Sequence, residues 1–184
     1  GKEIQERGKI SSIVHYHNSY FVGFLMDGIL LLEKQKETDH YQIQSLPINS
    51  GVFCLKKDRF QDVVWIGTDG QGVYLYSNPL YSIKSMVLSN YTEKIERPVR
   101  AIYLDDERTF WVGTKGNGIL KIYDYEFDKN ISDCRAEVLT TSNSALSSNA
   151  VYCFAKSHRN LLWIGDEEGL TYYSYREKRI KSIP

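Results

Sequence analysis

The stretch VRAIYLDDERTFWVGTKGNGILKIYD, residues 99–124, contains the pattern from which the fold of this chain can be predicted. It begins with an apolar run, continues through a polar segment at 105–108 to Trp111-Val112-Gly113, and passes through a glycine-containing turn into another apolar run. Short runs rich in β-branched and aromatic residues favour strands, and polar segments between them are typical of hairpin turns. The stretch therefore predicts three antiparallel strands in succession.

The pattern of this stretch occurs four times along the chain. Its aromatic residue, β-branched residue and glycine recur as Phe21-Val22-Gly23, Trp65-Ile66-Gly67, Trp111-Val112-Gly113 and Trp163-Ile164-Gly165. The glycines are 44, 46 and 52 residues apart. Recurrence at one position of every repeat indicates a structural role, so we predict that each large ring packs between adjacent sheets. Stacking of sugars on the tryptophans is the alternative interpretation.

Each repeat closes with a fourth strand-like run, which spans Tyr41 to Leu46, Ile83 to Leu88, Ala136 to Thr140 and Arg179 to Ile183. A period of roughly 40 to 50 residues with four strands per repeat is typical of β-propeller blades. We therefore predict an all-β fold in which residues 1–184 form one propeller segment of about four four-stranded antiparallel blades. The predicted blades span 8–46, 51–88, 98–140 and 149–183. No helix is predicted, because no 3.6-residue periodicity is sustained.

The composition is that of a globular chain with balanced charge, since 23 Lys and Arg face 23 Asp and Glu. Binding to a phosphate backbone needs clustered Lys and Arg, so we expect no nucleic-acid partner. No apolar run approaches the roughly 18 residues of a membrane helix, so we expect no membrane contact by this segment. Cys54, Cys134 and Cys153 lack a metal-binding spacing, and we interpret Cys54 and Cys153 as small buried thiols.

The sequence gives little support for catalysis. It contains no nucleophile elbow and no HExxH motif. His15 and His17 share one face of a predicted strand without an evident third ligand, so we interpret them as surface histidines. The carboxylate runs at 105–107 and 166–168 fall in predicted turns and are interpreted as solvated, and DGQG (69–72) and KGNG (115–118) as strand-to-strand turns. We predict a segment with no enzyme activity, no metal site and no cofactor.

The repeat resembles the regulator propeller repeat. The resemblance is clearest at 99–124, in VVWIGTDGQGVYLYS (63–77) and in LSSNAVYCFAKSHRNLLWIGDEEGLTYYS (146–174). Phe21 and Phe24 depart from the pattern in the first repeat, where Trp and Thr are usual, and Asp166 replaces the Thr in the fourth. The resemblance implies the periplasmic sensor region of a hybrid two-component regulator from bacteria that degrade complex polysaccharides. Propellers of that family usually have seven blades, so four blades would form a small ring, an open arc, a pair with a second chain or part of a larger ring.

We predict that ligands bind at one end of the blades. In an up-and-down sheet, the turns before the first strand and between the second and third strands emerge at the same end, where functional residues concentrate. That end carries Asp69, Gln71, Arg97, Lys115, Asn117, Asp166 and Glu167. Arg100 is added to this candidate set. It lies in the first strand-like run of its repeat, at a position that holds Ser11, Phe53 and Tyr152 in the other repeats. Its charge must therefore face a channel or find a partner.

The leading hypothesis for function is a non-catalytic sensor module of a hybrid two-component protein. It would recognise an oligosaccharide fragment and transmit the signal through a dimer to a histidine kinase domain elsewhere. A protein-interaction or dimerisation platform without a small ligand is the alternative, and a lyase built on a propeller ranks below it, because a fold does not confer chemistry. An open arc would expose the apolar faces of its first and last blades, so we expect self-association into a dimer.

Overall fold

The computed structural model describes residues 2–35, 38, 40–77, 82–86, 97–125, 134–157 and 160–183. The chain divides into two compact units, Gly1–Met86 (unit 1) and Val87–Pro184 (unit 2). A helix, α1, spans Lys2–Glu6. The strands, in chain order, are β1 Ile10–Tyr16, β2 Ser19–Phe24, β3 Ile29–Lys34, β4 Tyr41–Ser45, β5 Val52–Lys57, β6 Val63–Thr68, β7 Val73–Ser77, β8 Ser82–Met86, β9 Val99–Leu104, β10 Phe110–Thr114, β11 Ile119–Ile122, β12 Ala136–Leu139, β13 Val151–Lys156, β14 Leu161–Asp166, β15 Leu170–Ser174 and β16 Arg179–Ser182.

Four consecutive strands form each sheet, and every pairing is antiparallel between neighbours in sequence. Sheet 1 is β1–β4, sheet 2 is β5–β8, sheet 3 is β9–β12 and sheet 4 is β13–β16. The predicted all-β fold of four four-stranded antiparallel blades is confirmed. The prediction of no helix is wrong, because α1 is present, but its five residues are too few to show a helical period. Parts of the predicted blades lie outside the described residues, namely 36, 37, 39, 78–81, 87, 88, 126–133, 158 and 159.

Unit 1 is held together by packing between sheets 1 and 2. Phe21 and Leu31 of sheet 1 share one apolar core with Ile66 and Tyr76 of sheet 2. The Phe21 and Tyr76 rings meet nearly edge to face, with centroids 4.8 Å apart and planes at 69°. We call the face of a sheet that carries the aromatic residue of its second strand the aromatic face. In unit 1, the aromatic face of sheet 1 therefore covers the opposite face of sheet 2.

The other face of sheet 1 is partly covered by α1. Ile4 of this helix packs on a small cluster formed by Val22, Phe24 and Leu30. A five-residue helix has little stability of its own, so this packing is what holds it in place.

Unit 2 repeats the arrangement of unit 1 with sheets 3 and 4. Trp111 and Ile119 on the aromatic face of sheet 3 share a core with Leu162, Ile164 and Tyr173 of sheet 4. The Trp111 and Tyr173 rings again meet nearly edge to face, at 4.8 Å and 66°. The same pair of positions therefore makes the same aromatic contact in both units, and such contacts contribute about 0.5–1.5 kcal/mol beyond the area they bury.

The recurring glycine permits the sheets to approach each other closely. A Cβ atom placed on Gly23 would lie 2.7 Å from Cγ1 of Val52 in the next sheet, and one on Gly113 would lie 2.8 Å from Cγ1 of Val151. Both distances are below van der Waals contact. The first-strand residue paired with each recurring glycine is small in all four sheets: Ser12, Cys54, Ala101 and Cys153. The first strand of the next sheet packs into the space that these small residues leave.

The aromatic residue of the repeat is fully buried in three sheets and not in the fourth. Phe21, Trp65 and Trp111 are 0% exposed, whereas Trp163 is only half-buried and its ring meets that of Tyr172 on the same sheet. The expectation that every ring packs between sheets therefore does not extend to Trp163. Among the described residues, no helix is long and apolar enough to cross a membrane.

Substitution of Gly113 by alanine tests the close approach of sheets 3 and 4. Gly113→Ala should lower the free energy of unfolding by about 1–3 kcal/mol, because the new methyl group overlaps Val151. Val151→Ala in the same chain should recover part of that loss. Urea denaturation of the two single variants and the double variant gives the coupling between the positions.

Gly165→Ala is the matched control, since Gly165 is the same repeat position in sheet 4. Its added Cβ would meet only the Sγ atom of Cys153, a side chain that can move. A cost for Gly165→Ala equal to that for Gly113→Ala, with no coupling between positions 113 and 151, would contradict the role assigned to the glycine.

Candidate functional site

The predicted binding face is built from the turn between the second and third strands of each sheet. In unit 1 this turn carries Asp69 and Gln71, which are both exposed. The backbone N–H of Asp69 donates to the Gly51 carbonyl at 2.8 Å, which places the turn beside the start of the first strand. The Gln71 side chain accepts a hydrogen bond from the Tyr74 hydroxyl at 3.2 Å. The end of sheet 2 therefore presents both predicted side chains to solvent.

In unit 2 the corresponding turns are tied to the starts of β9 and β13. The N–H of Lys115 donates to the Pro98 carbonyl at 2.9 Å, and the N–H of Glu167 donates to the Ala150 carbonyl at 3.0 Å. The N–H groups of Gly116 and Gly118 both donate to the Asn149 carbonyl, which joins the turn of sheet 3 to the segment that leads into sheet 4. Arg97, Lys115, Asn117, Asp166 and Glu167 therefore lie at one end of unit 2, which we call the loop face.

Asp166 on the loop face forms hydrogen bonds within its own turn. In sheets 2 and 3, Thr68 and Thr114 hold this turn through hydroxyl bonds to the carbonyls of Gly72 and Gly118. Asp166 replaces the threonine, and its Oδ1 accepts from the N–H groups of Glu168 and Gly169. The Ser147 hydroxyl lies 2.8 and 2.7 Å from its two carboxylate oxygens. At 8% exposure, Asp166 is not the solvated turn residue that the sequence suggests.

Arg100 occupies a β-bulge. The pairing of β9 with β10 shifts register between Gly113 and Thr114, which leaves Arg100 without a partner residue opposite. Equivalent shifts between the first two strands of the other sheets leave out Ser11, Phe53 and Tyr152. Arg100 and these three residues therefore hold the same repeat position, and Arg100 is the charged one among them. A bulge re-aims the side chain of its extra residue and is frequent beside binding sites.

Arg100 and Tyr152 contact each other across the first strands of sheets 3 and 4. The guanidinium carbon of Arg100 lies 4.4 Å from the centroid of the Tyr152 ring, a cation–π contact. The Tyr152 side chain is still 44% exposed. Two buried polar atoms at this end have no hydrogen-bond partner among the described residues, Nη1 of Arg100 and Oδ1 of Asn117. A buried donor or acceptor without a partner costs about 1–3 kcal/mol.

The hairpins at the other end of the sheets hold buried carboxylates that the sequence did not reveal. Asp105, interpreted from the sequence as a solvated turn residue, is only 1% exposed, and Asp58 in the equivalent hairpin of sheet 2 is 4% exposed. Their Oδ2 atoms accept the indole N–H of Trp65 at 2.8 Å and of Trp111 at 2.9 Å. Oδ1 of Asp105 accepts backbone N–H bonds from the hairpin itself. An aspartate six or seven residues before the tryptophan is the sequence signal for this pair.

A buried lysine lies in the core of unit 2. Lys121 is 4% exposed and holds the position that Leu31 and Leu75 occupy in sheets 1 and 2. Its ammonium donates to the Tyr173 hydroxyl at 2.9 Å. The same nitrogen lies 4.7, 4.5 and 4.4 Å from the ring centroids of Trp111, Tyr123 and Tyr173. Three ring faces thus replace the water that the cation loses on folding.

Burial governs the protonation of this core. It lowers the pKa of Lys121 below 10.5, while the negative charges of Glu137, Asp105 and Glu107 act in the opposite direction. Burial and the same three carboxylates raise the pKa of Tyr173 to about 12. The Tyr123 hydroxyl donates to Glu137, and burial together with this bond raises the pKa of Tyr123. Burial therefore favours the uncharged form of all three groups, whereas the carboxylates favour the charged form of Lys121.

Other candidate side chains do not come together into a site. In the part of the chain that the structure describes, no group of three or more His, Cys, Asp and Glu side chains could hold a metal ion. His15 and His17 are exposed, and His17 pairs with Asp62 at 2.8 Å. Cys54 is half-buried, with the pKa of its thiol raised to about 12 by burial. Cys153 is exposed, so its interpretation as a buried thiol is wrong.

The four sheets and their strand order define consecutive β-propeller blades. No protein-family model and no curated protein matches the sequence. Among solved structures, the extracellular domain of a hybrid two-component system protein from B. thetaiotaomicron matches 94% of this chain with a TM-score of 0.73 and 23% identity. The extracellular domain of a one-component system protein from the same organism matches 89% with a TM-score of 0.67 and 21% identity.

This chain covers 22% and 21% of the lengths of those two structures. The computationally designed protein Ika4 matches 91% of both chains with a TM-score of 0.62 and 12% identity. The chain therefore has the fold seen in the extracellular domains of such signalling proteins. The resemblance drawn from the repeats is confirmed at the level of the fold.

Substitution of Lys121 by methionine tests the desolvation of its charge. Because the pKa of Lys121 is lower in the folded protein, the unfolded chain binds more protons between the folded and unfolded pKa values. The free energy of unfolding of the wild type should therefore rise relative to Lys121→Met as the pH is raised from the lowered folded pKa toward the unfolded pKa of about 10.4. The difference is measured by urea denaturation of the wild type and the variant at each pH.

Leu75→Met is the matched control, because Leu75 holds the same position in sheet 2. It should differ from the wild type by an amount that does not change with pH. A wild-type to Lys121→Met difference that stays constant across the same range would show that the Lys121 ammonium is not desolvated.

Proposed function

We propose that this chain is a non-catalytic, ligand-recognising part of the periplasmic sensor region of a hybrid two-component system protein. The fold it shares with extracellular domains of such proteins supports the class of module. The loop face of unit 2 supports a recognition role, because it combines polar side chains with an exposed aromatic ring on closely packed sheets. A histidine kinase domain elsewhere in the protein would receive the signal.

The ligand that we propose for the loop face is an oligosaccharide fragment of a glycan. The observation that carries this proposal is the pair of buried polar atoms without partners, the donor Nη1 of Arg100 and the acceptor Oδ1 of Asn117. Sugar hydroxyls can accept from one and donate to the other. The exposed part of the Tyr152 ring adds an apolar surface next to the guanidinium, which suits the C–H face of a sugar.

Calorimetric titration against a panel of oligosaccharides tests this ligand class. We expect at least one member to bind and Arg100→Met to weaken that binding at least about tenfold, because a hydrogen bond to a charged group contributes about 1.5–3 kcal/mol. Arg176→Met, which removes an exposed arginine from the last hairpin of sheet 4, should leave the affinity unchanged. Absence of binding across the panel would favour an interaction platform, and turnover of any member would favour a lyase.

We also propose that the chain forms a dimer through the aromatic face of sheet 4. Leu170 on this face is 48% exposed, whereas Ile29, Val73 and Ile119 at the same repeat position are 0% exposed. Trp163 is half-buried on the same face. In each unit, an aromatic face of this kind is covered by another sheet of the same repeat, and a second copy of the chain supplies such a sheet.

Light scattering tests the proposed dimer. The expected mass is about twice the 21.3 kDa of one chain, and the double variant Trp163→Ser, Leu170→Ser should return it to a single chain. Met26→Ser, which removes an 85% exposed apolar side chain from unit 1, should leave the dimer intact. A wild-type mass of one chain at micromolar concentration would exclude the dimer.

A further inference from the structure

A cleft opens at the end of unit 2 opposite the loop face. Its volume is about 330 Å³, near the lower end of the roughly 300–1,000 Å³ range of small-molecule sites. One wall comes from sheet 3 and its first hairpin, with Tyr103, Asp106 and Glu107, and the other from sheet 4, with Lys156, Asn160 and Tyr175. The cleft is separate from the site proposed for oligosaccharides and shares no residue with it.

The aromatic part of the cleft is held in a fixed position. The Tyr175 hydroxyl donates to Oδ2 of Asp105 at 3.1 Å, the atom that also accepts the Trp111 indole N–H. The Tyr175 ring packs edge to face against Tyr173, with centroids 5.3 Å apart. A half-buried ring with both its edge and its hydroxyl fixed is a preorganised surface for a ligand.

The charged side chains that line the cleft, among the described residues, are two carboxylates and one cation. These are Asp106, Glu107 and Lys156, and Asp105 lies beneath the cleft, where it accepts a hydrogen bond from the Tyr175 hydroxyl. Lys156 forms an ion pair with Asp106. Burial and the charge of Asp105 raise the pKa of Tyr175, with a smaller effect of Glu107.

Glu107 is the carboxylate that remains available. Its side chain has no hydrogen-bond or ion-pair partner among the described residues, and neither does the side-chain amide of Asn160. The adjacent core shows how this part of the molecule accommodates an ammonium group, since the rings around Lys121 hold its charge at 4.4–4.7 Å in the field of the same carboxylates. Aromatic faces combined with carboxylates are the chemistry that recognises ligand ammonium groups.

We propose that this cleft binds a small organic ammonium ion, with the cation over the Tyr175 ring, Glu107 as its counter-ion and Asn160 as a hydrogen-bond partner for its polar end. The positive charge of the ligand would pair with the Glu107 carboxylate, since Asp106 is already paired with Lys156. Because the contacts are electrostatic and partly exposed to solvent, the affinity would fall with increasing salt.

Titration with choline, followed by NMR chemical shifts of the full chain, tests this proposal. The uncharged carbon analogue of choline, dimethylbutanol, has the same shape and isolates the contribution of the charge. We expect choline to shift the resonances of residues around the cleft in a saturable manner, dimethylbutanol to bind at least about tenfold more weakly, and added salt to weaken choline binding.

Variants assign the binding to named side chains. Glu107→Gln keeps the shape of the side chain and should weaken choline binding at least fivefold, as should Tyr175→Leu. Should Tyr175→Leu impair folding, Asn160→Gly provides a second test, because glycine tolerates the positive φ of 59° at this position and removes only the amide. Arg100→Met on the loop face is the control and should bind choline like the wild type.

Three results would overturn the proposal. These are no saturable shift with choline, equal affinity for choline and dimethylbutanol, and choline binding that Glu107→Gln leaves unchanged. Oligosaccharide binding at the loop face is measured separately with Arg100→Met, so failure of either proposal leaves the other standing.

Discussion

Sheet 1 lies close against the first strand of sheet 2, as sheet 3 does against the first strand of sheet 4, and this packing positions the other parts of each unit. A four-stranded sheet buries too little surface to be stable alone, so its aromatic face must be covered. Gly23 and Gly113 allow Val52 and Val151 to approach to a distance that any side chain would prevent. The edge-to-face ring contacts then lock the same geometry in both units. Strand ends and turns are positioned by this packing, which is why the candidate binding groups are held rigidly although they lie on turns.

Unit 2 differs from unit 1 in the polarity of its interior. In unit 1, the position of Lys121 holds Leu31 or Leu75, which add only apolar surface to the core. In unit 2, the core instead holds a network of buried polar groups, in which Lys121 donates to the Tyr173 hydroxyl and the Asp105 carboxylate accepts from Trp111 and Tyr175. Replacing such a network by apolar residues is often neutral or stabilising, so its presence points to a purpose other than stability. The network lies directly behind the cleft, where it fixes the Tyr175 ring and sets the local field.

The sequence predicts the fold well because two signals identify each strand. One is the residue pattern of the strand itself, and the other is its alignment with the equivalent segments of the other repeats. Its failures concern interactions that a repeat pattern does not encode. Local polarity suggests that the segments around Asp58 and Asp105 are solvated turns. Both carboxylates are buried instead, because each binds the indole N–H of a tryptophan several residues further along the chain. Helix α1 is too short for a periodicity. Trp163 is partly exposed because no sheet covers it among the described residues. The sequence of one repeat does not indicate whether another sheet packs on it. The loop positions of the candidate site can be predicted from the strand topology. The unpartnered atoms and the cleft cannot, because they depend on where side chains from different strands lie in three dimensions.

The bulge in the first strand of every sheet has a consequence for how this repeat can change over evolution. Ser11, Phe53, Arg100 and Tyr152 are left out of the ladder, so none is required for strand pairing. They are also chemically unrelated, whereas the residues on either side of them are uniformly small or apolar. Mutations at the bulge can therefore alter the chemistry presented by a blade while leaving the scaffold intact. Duplication of the repeat multiplies such positions, so one architecture can diversify its recognition one residue per blade.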